Sequence, residues 1–267
     1  MKILDEVARR SAPAISAAAL TKNYGRATVL DSVDLEFDRG TRVAVVGPNG
    51  SGKTTLIHVL SGLLRPSSGE ILLHHDPARA GAVAIAPDDL ALPESLTGRE
   101  LIALTTRLRR SPAVLDPEIL AEDLDLTPAL DRPISQYSHG MRRKIQLLCA
   151  VMHAPDILFL DEPHRGLDPT SSIVLRTLID AVAEQGACVV SATHTLGITT
   201  RDYDHLVVMS AGSVLASGPI DELLEDYRVT TVEELFLRLT GTWTSIGATR
   251  SRLRDLVSRS YDRRTQP

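Results

Sequence analysis

A glycine-rich stretch that ends in lysine and threonine is the part of this sequence best suited to chemistry. Residues 47–55 read GPNGSGKTT and fit the pattern G-x-x-x-x-G-K-S/T without a mismatch. Glycines let the backbone turn tightly, so that successive N–H groups point at phosphate oxygens. In such a loop Lys53 reaches the β- and γ-phosphates, and the Thr54 hydroxyl ligates Mg²⁺. We therefore predict a nucleoside triphosphate site formed by Gly47, Pro48, Asn49, Gly50, Ser51, Gly52, Lys53, Thr54 and Thr55.

Two carboxylates follow an apolar run further along the chain. Residues 156–160 predict a buried strand, and Asp161 and Glu162 come at its carboxyl end. Parallel α/β sheets bind their ligands at the carboxyl ends of strands. There Asp161 suits a magnesium ligand, and Glu162 suits a base that polarises an attacking water. A solvated acidic strand end is the alternative, and the phosphate-binding loop favours the functional interpretation.

Three further side chains are candidates with an open alternative each. His194 follows the apolar run 187–193 at the carboxyl end of another predicted strand, where a lone histidine is more often structural. Ser138 precedes a long helical run, so it marks either a second phosphate site at a helix N-terminus or a simple N-cap. Tyr24 lies in a turn, where it stacks on an adenine ring or packs on the surface.

The elements that position these residues alternate between strands and helices. Arg42–Val46 predicts a strand just before the glycine loop, and Leu56 begins a helix just after it. Thr97 and Glu100 have the spacing of a capping box. The other predicted strands are 15–20, 29–37, 70–73, 83–86, 187–193, and a hairpin of 206–209 with 213–216. The other predicted helices lie within 96–130, after Ser138, over 171–184 and within 221–239.

Composition limits the classes of protein. The chain has 267 residues, enough for one large α/β domain with an inserted subdomain. The net charge of −5 and the pI near 5.9 argue against a broad nucleic-acid-binding face. The sequence holds no apolar run of 18 residues, so we expect no membrane-spanning segment. Cys149 and Cys188 lie in apolar runs and predict reduced core thiols.

Taken together and in this order, the motifs resemble those of the nucleotide-binding subunit of an ABC transporter, over about residues 14–240. The resemblance implies a Walker A loop at 47–55, a Walker B strand at 157–162, a signature sequence at 137–141 and a D-loop at 166–168. It implies Lys53, Glu162 and His194 as catalytic side chains. It also implies that Tyr24, Ser138, Gly140 and Asp168 contact ATP.

Two motifs depart from the family pattern. The signature reads Tyr-Ser-His-Gly-Met, a form similar to that of exporter subunits of the drug-efflux and antibiotic-resistance type, and residues 232–241 also resemble their C-terminal segment. Asp88 stands where the family has the glutamine of its Q-loop. An ionised Asp only accepts hydrogen bonds. Asp88 would add a third carboxylate that could hold Mg²⁺ beside Asp161 and would repel the γ-phosphate.

The resemblance implies an α/β fold, a P-loop NTPase core of the RecA-like type with a small antiparallel β subdomain and an inserted helical subdomain at about 89–150. The ABC nucleotide-binding domain would span 1–240. Two copies would bind two ATP and Mg²⁺ between them as an ATP-dependent homodimer, or one copy would pair with a related ATPase subunit. The dimer would drive export through a separate transmembrane permease, with no nucleic acid as partner.

The location that the resemblance implies is cytoplasmic and peripheral, at the inner face of the cell membrane. A catalytically weak regulatory partner in a heteromeric complex is the alternative function, and Asp88 motivates it. A soluble protein acting on ribosomes or DNA fits less well, because it would carry a second ATP domain or a long coiled-coil insertion.

The segment 241–267 forms a basic tail outside the resemblance. It holds six arginines, at 250, 252, 254, 259, 263 and 264, and a short apolar set at Leu253, Leu256 and Val257. The pattern predicts either a basic amphipathic helix that touches anionic lipid or the permease, or a solvated terminus.

Overall fold

Two sheets carry the fold. The computed structural model describes residues 12–75, 81–88, 91–110, 112–197, 201–241, 249, 252–254 and 256–257. The strands in these ranges are β1 (Ile15–Tyr24), β2 (Ala27–Phe37), β3 (Arg42–Val46), β4 (Ser68–Leu73), β5 (Val83–Ala86), β6 (Ile157–Asp161), β7 (Cys188–Thr193), β8 (His205–Ser210) and β9 (Ser213–Pro219). An antiparallel sheet has the order β2-β1-β4, and a six-stranded sheet has the order β5-β6-β7-β3-β8-β9. The second sheet is parallel except for the β8–β9 pair, so the predicted α/β class is confirmed.

Helices cover both faces of the larger sheet. They are α1 (Lys53–Leu60), α2 (Gly98–Arg109), α3 (Pro117–Asp123), α4 (His139–Val151), α5 (Pro169–Glu184), α6 (Ile220–Asp226) and α7 (Val232–Leu239). Two short 3₁₀ turns, Thr127–Ala129 and Ile134–Gln136, join α3 to α4. The helical segments predicted within 221–239 are α6 and α7, which residues 227–231 separate.

The apolar run of β6 is explained by burial on both sides. Ile157 and Phe159 pack in one core with α1, whereas Leu158 and Leu160 pack in another with α4 and α5. Because successive side chains of a strand point to opposite faces, a strand covered twice must be apolar throughout. The run therefore ends only where Asp161 reaches the carboxyl edge of the sheet.

A helical region packs beside this sheet, where the sequence predicts the inserted subdomain. The predicted capping box begins α2: the Thr97 hydroxyl accepts from the Glu100 backbone N–H at 3.2 Å, and the Glu100 carboxylate accepts from the Thr97 N–H at 2.8 Å. Residues 89, 90 and 111 of the predicted subdomain lie outside the described residues.

Two sequence predictions concern the surface and the thiols. Arg252–Arg254 and Leu256–Val257 have helical backbone, and the Leu253, Leu256 and Val257 side chains are more than half exposed. The rest of the predicted tail, apart from residues 241 and 249, lies outside the described residues.

Cys149 and Cys188 are free thiols, and burial raises the pKa of Cys149 to about 11 and that of Cys188 to about 12. Over the part of the chain described, no helix combines the length and the apolar composition that crossing a membrane requires.

Candidate functional site

Most of the predicted loop residues line one cleft together with Glu162 and His194, whereas Gly47, Pro48, Ser51 and Asp161 lie outside its lining. β6, β7 and β3 are neighbours in the sheet, so their carboxyl ends bring together three segments that are far apart in sequence. The cleft between them has a volume of about 750 Å³. Its lining consists of Val29, Asn49, Gly50, Gly52, Lys53, Thr54, Thr55, Asp88, Glu162, Arg165 and His194.

A larger groove lies at the other edge of the sheet. It has a volume of about 980 Å³ and is lined by residues that precede β6 and β7, such as Pro155 and Gly186, and by apolar side chains of α3 and α5. None of the predicted catalytic or phosphate-binding residues lines it. We therefore place the candidate site in the smaller cleft, where the titratable groups converge.

The glycine loop is held against the sheet by close backbone contacts. A methyl group at Gly47 would lie 2.5 Å from the Met209 carbonyl oxygen, and one at Gly52 would lie 2.7 Å from that of Val29. Gly52 also has a φ of +102°, in the left-handed region that favours glycine, and it precedes the first residue of α1. No side chain caps α1, so the N-terminal amides of this helix are available to a phosphate group.

Lys53 lies within this loop with its side chain largely buried. Its ammonium group donates to the carbonyl oxygens of Gly47 at 2.8 Å and Pro48 at 3.2 Å. Burial lowers the pKa of Lys53, and the nearby carboxylates of Glu162 and Asp161 oppose that shift. Lys53 is thus a buried cation facing two acids, an arrangement suited to a polyanionic ligand.

Asp161 and Thr54 have the chemistry of a magnesium site. Asp161 is buried, and its Oδ2 has no hydrogen-bond partner among the described residues. Burial raises the pKa of Asp161, and a hydrogen bond with Thr54 opposes that shift. A buried carboxylate oxygen without a partner is costly unless a cation or donor meets it. Mg²⁺ prefers carboxylate and hydroxyl oxygens, so these two residues fit the ion.

Glu162 and His194 form a pair at the edge of the cleft. The His194 Nδ1 atom lies 2.9 Å from Glu162 Oε2, and the side chains are 62% and 17% exposed, respectively. Glu162 has a φ of +48°, which is uncommon for a residue with a side chain. Such backbone conformations cluster at functional sites, where the surrounding structure holds them. The sequence predicted both positions but gave no sign of this backbone conformation.

Asp88 lies in the cleft with partners that the sequence analysis missed. Its Oδ2 atom accepts from the guanidinium of Arg165, and its Oδ1 atom is buried without a hydrogen-bond partner among the described residues. Arg143 is almost fully buried and donates to the carbonyl oxygens of Pro87, at 2.8 Å, and of Asp161. Three consecutive basic residues at 142–144 give no sign that the middle one is buried. Arg165 follows Glu162 by three residues, so the sequence places it near the Walker B acids, but it does not reveal the pairing with Asp88.

The remaining predicted ATP contacts lie outside the lining of this cleft. Tyr24 ends β1, is 50% exposed and has the Lys22 ammonium 5.2 Å from its ring centre. Ser138 caps α4, and its Oγ accepts from the Met141 N–H at 3.2 Å. A methyl group at Gly140 would lie 2.7 Å from the carbonyl oxygen of Gly166.

Asp168, the fourth of these contacts, uses both carboxylate oxygens within its own chain. One accepts from the Ser171 N–H at 2.8 Å, which caps α5, and the other accepts from the Ser171 hydroxyl at 2.7 Å and pairs with Lys144 at 3.0 Å. These hydrogen bonds lower the pKa of Asp168. Asp168 thus joins the start of α5 to α4.

Comparison with known proteins gives consistent results. The family model described as ABC transporter matches residues 30–165. The daunorubicin resistance ATP-binding protein DrrA3 of Streptomyces coeruleorubidus is 38% identical over 221 residues, which are 79% of this chain and 69% of that protein. The daunorubicin/doxorubicin resistance ATP-binding protein DrrA of Streptomyces peucetius is 33% identical, over 79% of this chain and 66% of that protein. A solved structure of an ATP-binding subunit of an ABC transporter superposes with a TM-score of 0.77 at 28% identity, covering 85% of this chain and 99% of that one.

Proposed function

Since the chain belongs to the ABC transporter family of ATP-binding subunits, whose members are ATPases coupled to transport, we propose that it hydrolyses Mg-ATP in the cleft described above to drive export through a separate membrane permease. The observation that carries the proposal is the Glu162–His194 pair, which lines the same cleft as Lys53 and Thr54. Two relatives are named for daunorubicin resistance, which favours export over import.

In this proposal each group of the cleft has one task. The amides of the glycine loop and of the α1 N-terminus bind the phosphates, because their N–H dipoles point at negative charge. Lys53 stabilises the charge on the β- and γ-phosphates. Glu162 accepts a proton from the attacking water, and His194 holds the Glu162 carboxylate in place.

Thr54 and Asp161 would hold Mg²⁺, and Asp88 is a third candidate through its Oδ1 atom. The ion supplies Lewis-acid stabilisation of the charge on the transferred phosphoryl group. The buried Oδ2 atom of Asp161 supports this assignment, because without a cation it is an unsatisfied buried acceptor.

The second half of the site is proposed to come from a partner subunit. Ser138 and Gly140 lie at the N-terminus of α4, outside the cleft lining of their own chain. A helix N-terminus attracts phosphate, so these residues of one copy would close over ATP held by the other copy. Tyr24 would stack on the adenine, and Asp168 would help to form the interface. The working location is the cytoplasmic face of the membrane, where the dimer meets the permease.

The proposal is tested with the purified full-length chain. Binding of a fluorescent ATP analogue and release of phosphate are measured with Mg²⁺ and with EDTA, alone and with the permease in lipid vesicles. We expect Mg²⁺-dependent hydrolysis that increases when the permease is present. A chain that retains no Mg-ATP would refute the proposal, and one that binds ATP without hydrolysing it would favour the regulatory alternative.

A further inference from the structure

Asp88 and Arg165 form an ion pair in the cleft that we propose binds ATP. No motif described above links these two residues. Asp88 follows β5 and Arg165 follows β6, and these strands are adjacent and parallel. Their carboxyl ends therefore bring the two side chains together across 77 residues of sequence. Asp88 is 14% exposed and Arg165 is 56% exposed, and both line the cleft.

The backbone next to Asp88 is anchored. The Arg143 guanidinium donates to the carbonyl oxygen of Pro87 and also to that of Asp161. This buried arginine ties the segment that carries Asp88 to the end of β6. The backbone just before Asp88 is thereby held against the end of β6.

The charges around the cleft show why Asp88 needs a partner. The carboxylates of Asp88 and Glu162 line the cleft, Asp161 precedes Glu162 at the end of β6, and the Coulombic effect of Asp88 reaches Asp161. Among the described lining residues the arginine and lysine side chains are Lys53 and Arg165. The buried Arg143 lies outside this lining and also interacts with Asp88 through its charge, but only Arg165 forms an ion pair with the Asp88 carboxylate among the described residues. Without Arg165, the Asp88 carboxylate would lose its ion-pair partner and would add negative charge to the cleft proposed to bind the phosphates. Like charges within one cleft repel each other, and at the effective dielectric of a protein surface such a repulsion is expected to weaken binding by about tenfold.

We propose that Arg165 is a positioning residue of the ATP site, which neutralises Asp88 and fixes its carboxylate so that the pair presents no net charge to the phosphates. This inference rests on the proposed function. In this arrangement the Asp88–Arg165 pair occupies the place where the family has the uncharged side chain of the Q-loop glutamine. Arg165 acts on the nucleotide through Asp88. The Oδ1 atom of Asp88 stays available to a cation or a water.

The test is a set of four variants with matched measurements. They are Arg165→Ser, Asp88→Gln, the double variant, and Arg99→Ser as control. Arg99 also pairs with carboxylates, those of Glu118 and Asp131, but on the exposed helical region away from the cleft. For each protein one measures the Kd of Mg-ATP, kcat and KM, and the melting temperature.

We expect Arg165→Ser to weaken Mg-ATP binding about tenfold and to raise KM more than it lowers kcat, because Asp88 loses its ion-pair partner. Adding Asp88→Gln to Arg165→Ser should restore the affinity to within about threefold of the wild type. Arg99→Ser should leave all four quantities unchanged. A merely structural role for Arg165 would change the melting temperature and would not be rescued by Asp88→Gln.

Two outcomes would overturn the inference. One is an Arg165→Ser protein with wild-type or tighter affinity, and the other is a double variant as weak as Arg165→Ser alone. The wild type separates failure of this inference from failure of the proposed function. If the unmodified chain retains no Mg-ATP, the proposed function is wrong. If the wild type is active and Arg165→Ser is unaffected, only the role of the ion pair is refuted.

Discussion

Replacing Glu162 by glutamine tests the chemistry of the cleft most directly. The substitution keeps the shape of the side chain and removes the carboxylate that we propose accepts the proton from water. Because glutamine replaces another residue with a β-carbon, the left-handed backbone at this position gains no new strain. The amide can still hydrogen-bond to His194, whose Nδ1 lies 2.9 Å from the present carboxylate.

The expected loss follows from what a positioned base contributes. General-base catalysis is typically worth about 10²–10⁴-fold, which raises the barrier by about 2.7–5.4 kcal/mol at 1.36 kcal/mol for each factor of ten. Binding should change much less, since Lys53 and the loop amides remain. We expect the Kd of Mg-ATP to stay within about threefold, well under the effect on turnover.

Single-turnover phosphate release gives the hydrolysis rate, and a fluorescent ATP analogue gives the affinity. Size-exclusion chromatography with ATP should show a stable dimer of Glu162→Gln, because the nucleotide between the copies is no longer cleaved. Glu184→Gln is the matched control, as Glu184 is exposed at the end of α5. Hydrolysis by Glu162→Gln within threefold of the wild type would refute the role of this residue.

Three further predictions concern binding, thiol chemistry and acid stability. Lys53→Ala should weaken Mg-ATP binding about 10- to 100-fold, since a charged hydrogen bond is worth about 1.5–3 kcal/mol; unchanged binding in the same fluorescence assay would contradict its placement. At pH 8 neither Cys149 nor Cys188 should react quickly with a disulfide reagent in the folded chain, because burial raises both thiol pKa values, and both should react after unfolding; a rapidly reacting equivalent in the native protein would count against the buried positions. The hydrogen bond from Arg42 lowers the pKa of Asp204, so its contribution to stability is present above the ordinary carboxyl pKa near 4 and is lost as the pH falls through the lowered value. Asp204→Asn should therefore flatten the acid limb of the unfolding free energy by less than about 1 kcal/mol, since the pair is partly exposed, and an acid limb as steep as that of the wild type in urea titrations would argue against it.

Local patterns predicted the elements of the fold well. The strand Arg42–Val46, the strand Val83–Ala86 and the capping box at Thr97 lie where the sequence placed them. These features depend on neighbouring residues, through β-branched runs and through side-chain hydrogen bonds to the helix N-terminus. Element ends were less accurate: α5 starts at Pro169, because Asp168 caps it, rather than at Ser171.

The charge pattern of the site was only partly predictable. Motif spacing located Lys53, Asp161, Glu162 and His194, because the order of strands and loops in such a fold is fixed along the chain. The partner of Asp88 could not be read in the same way, since the contact with Arg165 arises from the pairing of β5 with β6. The roles assigned to Tyr24, Ser138, Gly140 and Asp168 stay predictions.

The close approach of Gly140 to Gly166 holds the N-terminus of α4 against the loop that follows β6. A methyl group at Gly140 would overlap the Gly166 carbonyl oxygen, and Lys144 bonds to Asp168 one turn further along α4. The loop that follows β6 is thereby held against the first turns of α4. In the proposed dimer the N-terminus of α4 would face the nucleotide of the other copy, so a shift of the loop after Glu162 would reach that nucleotide directly through these two contacts.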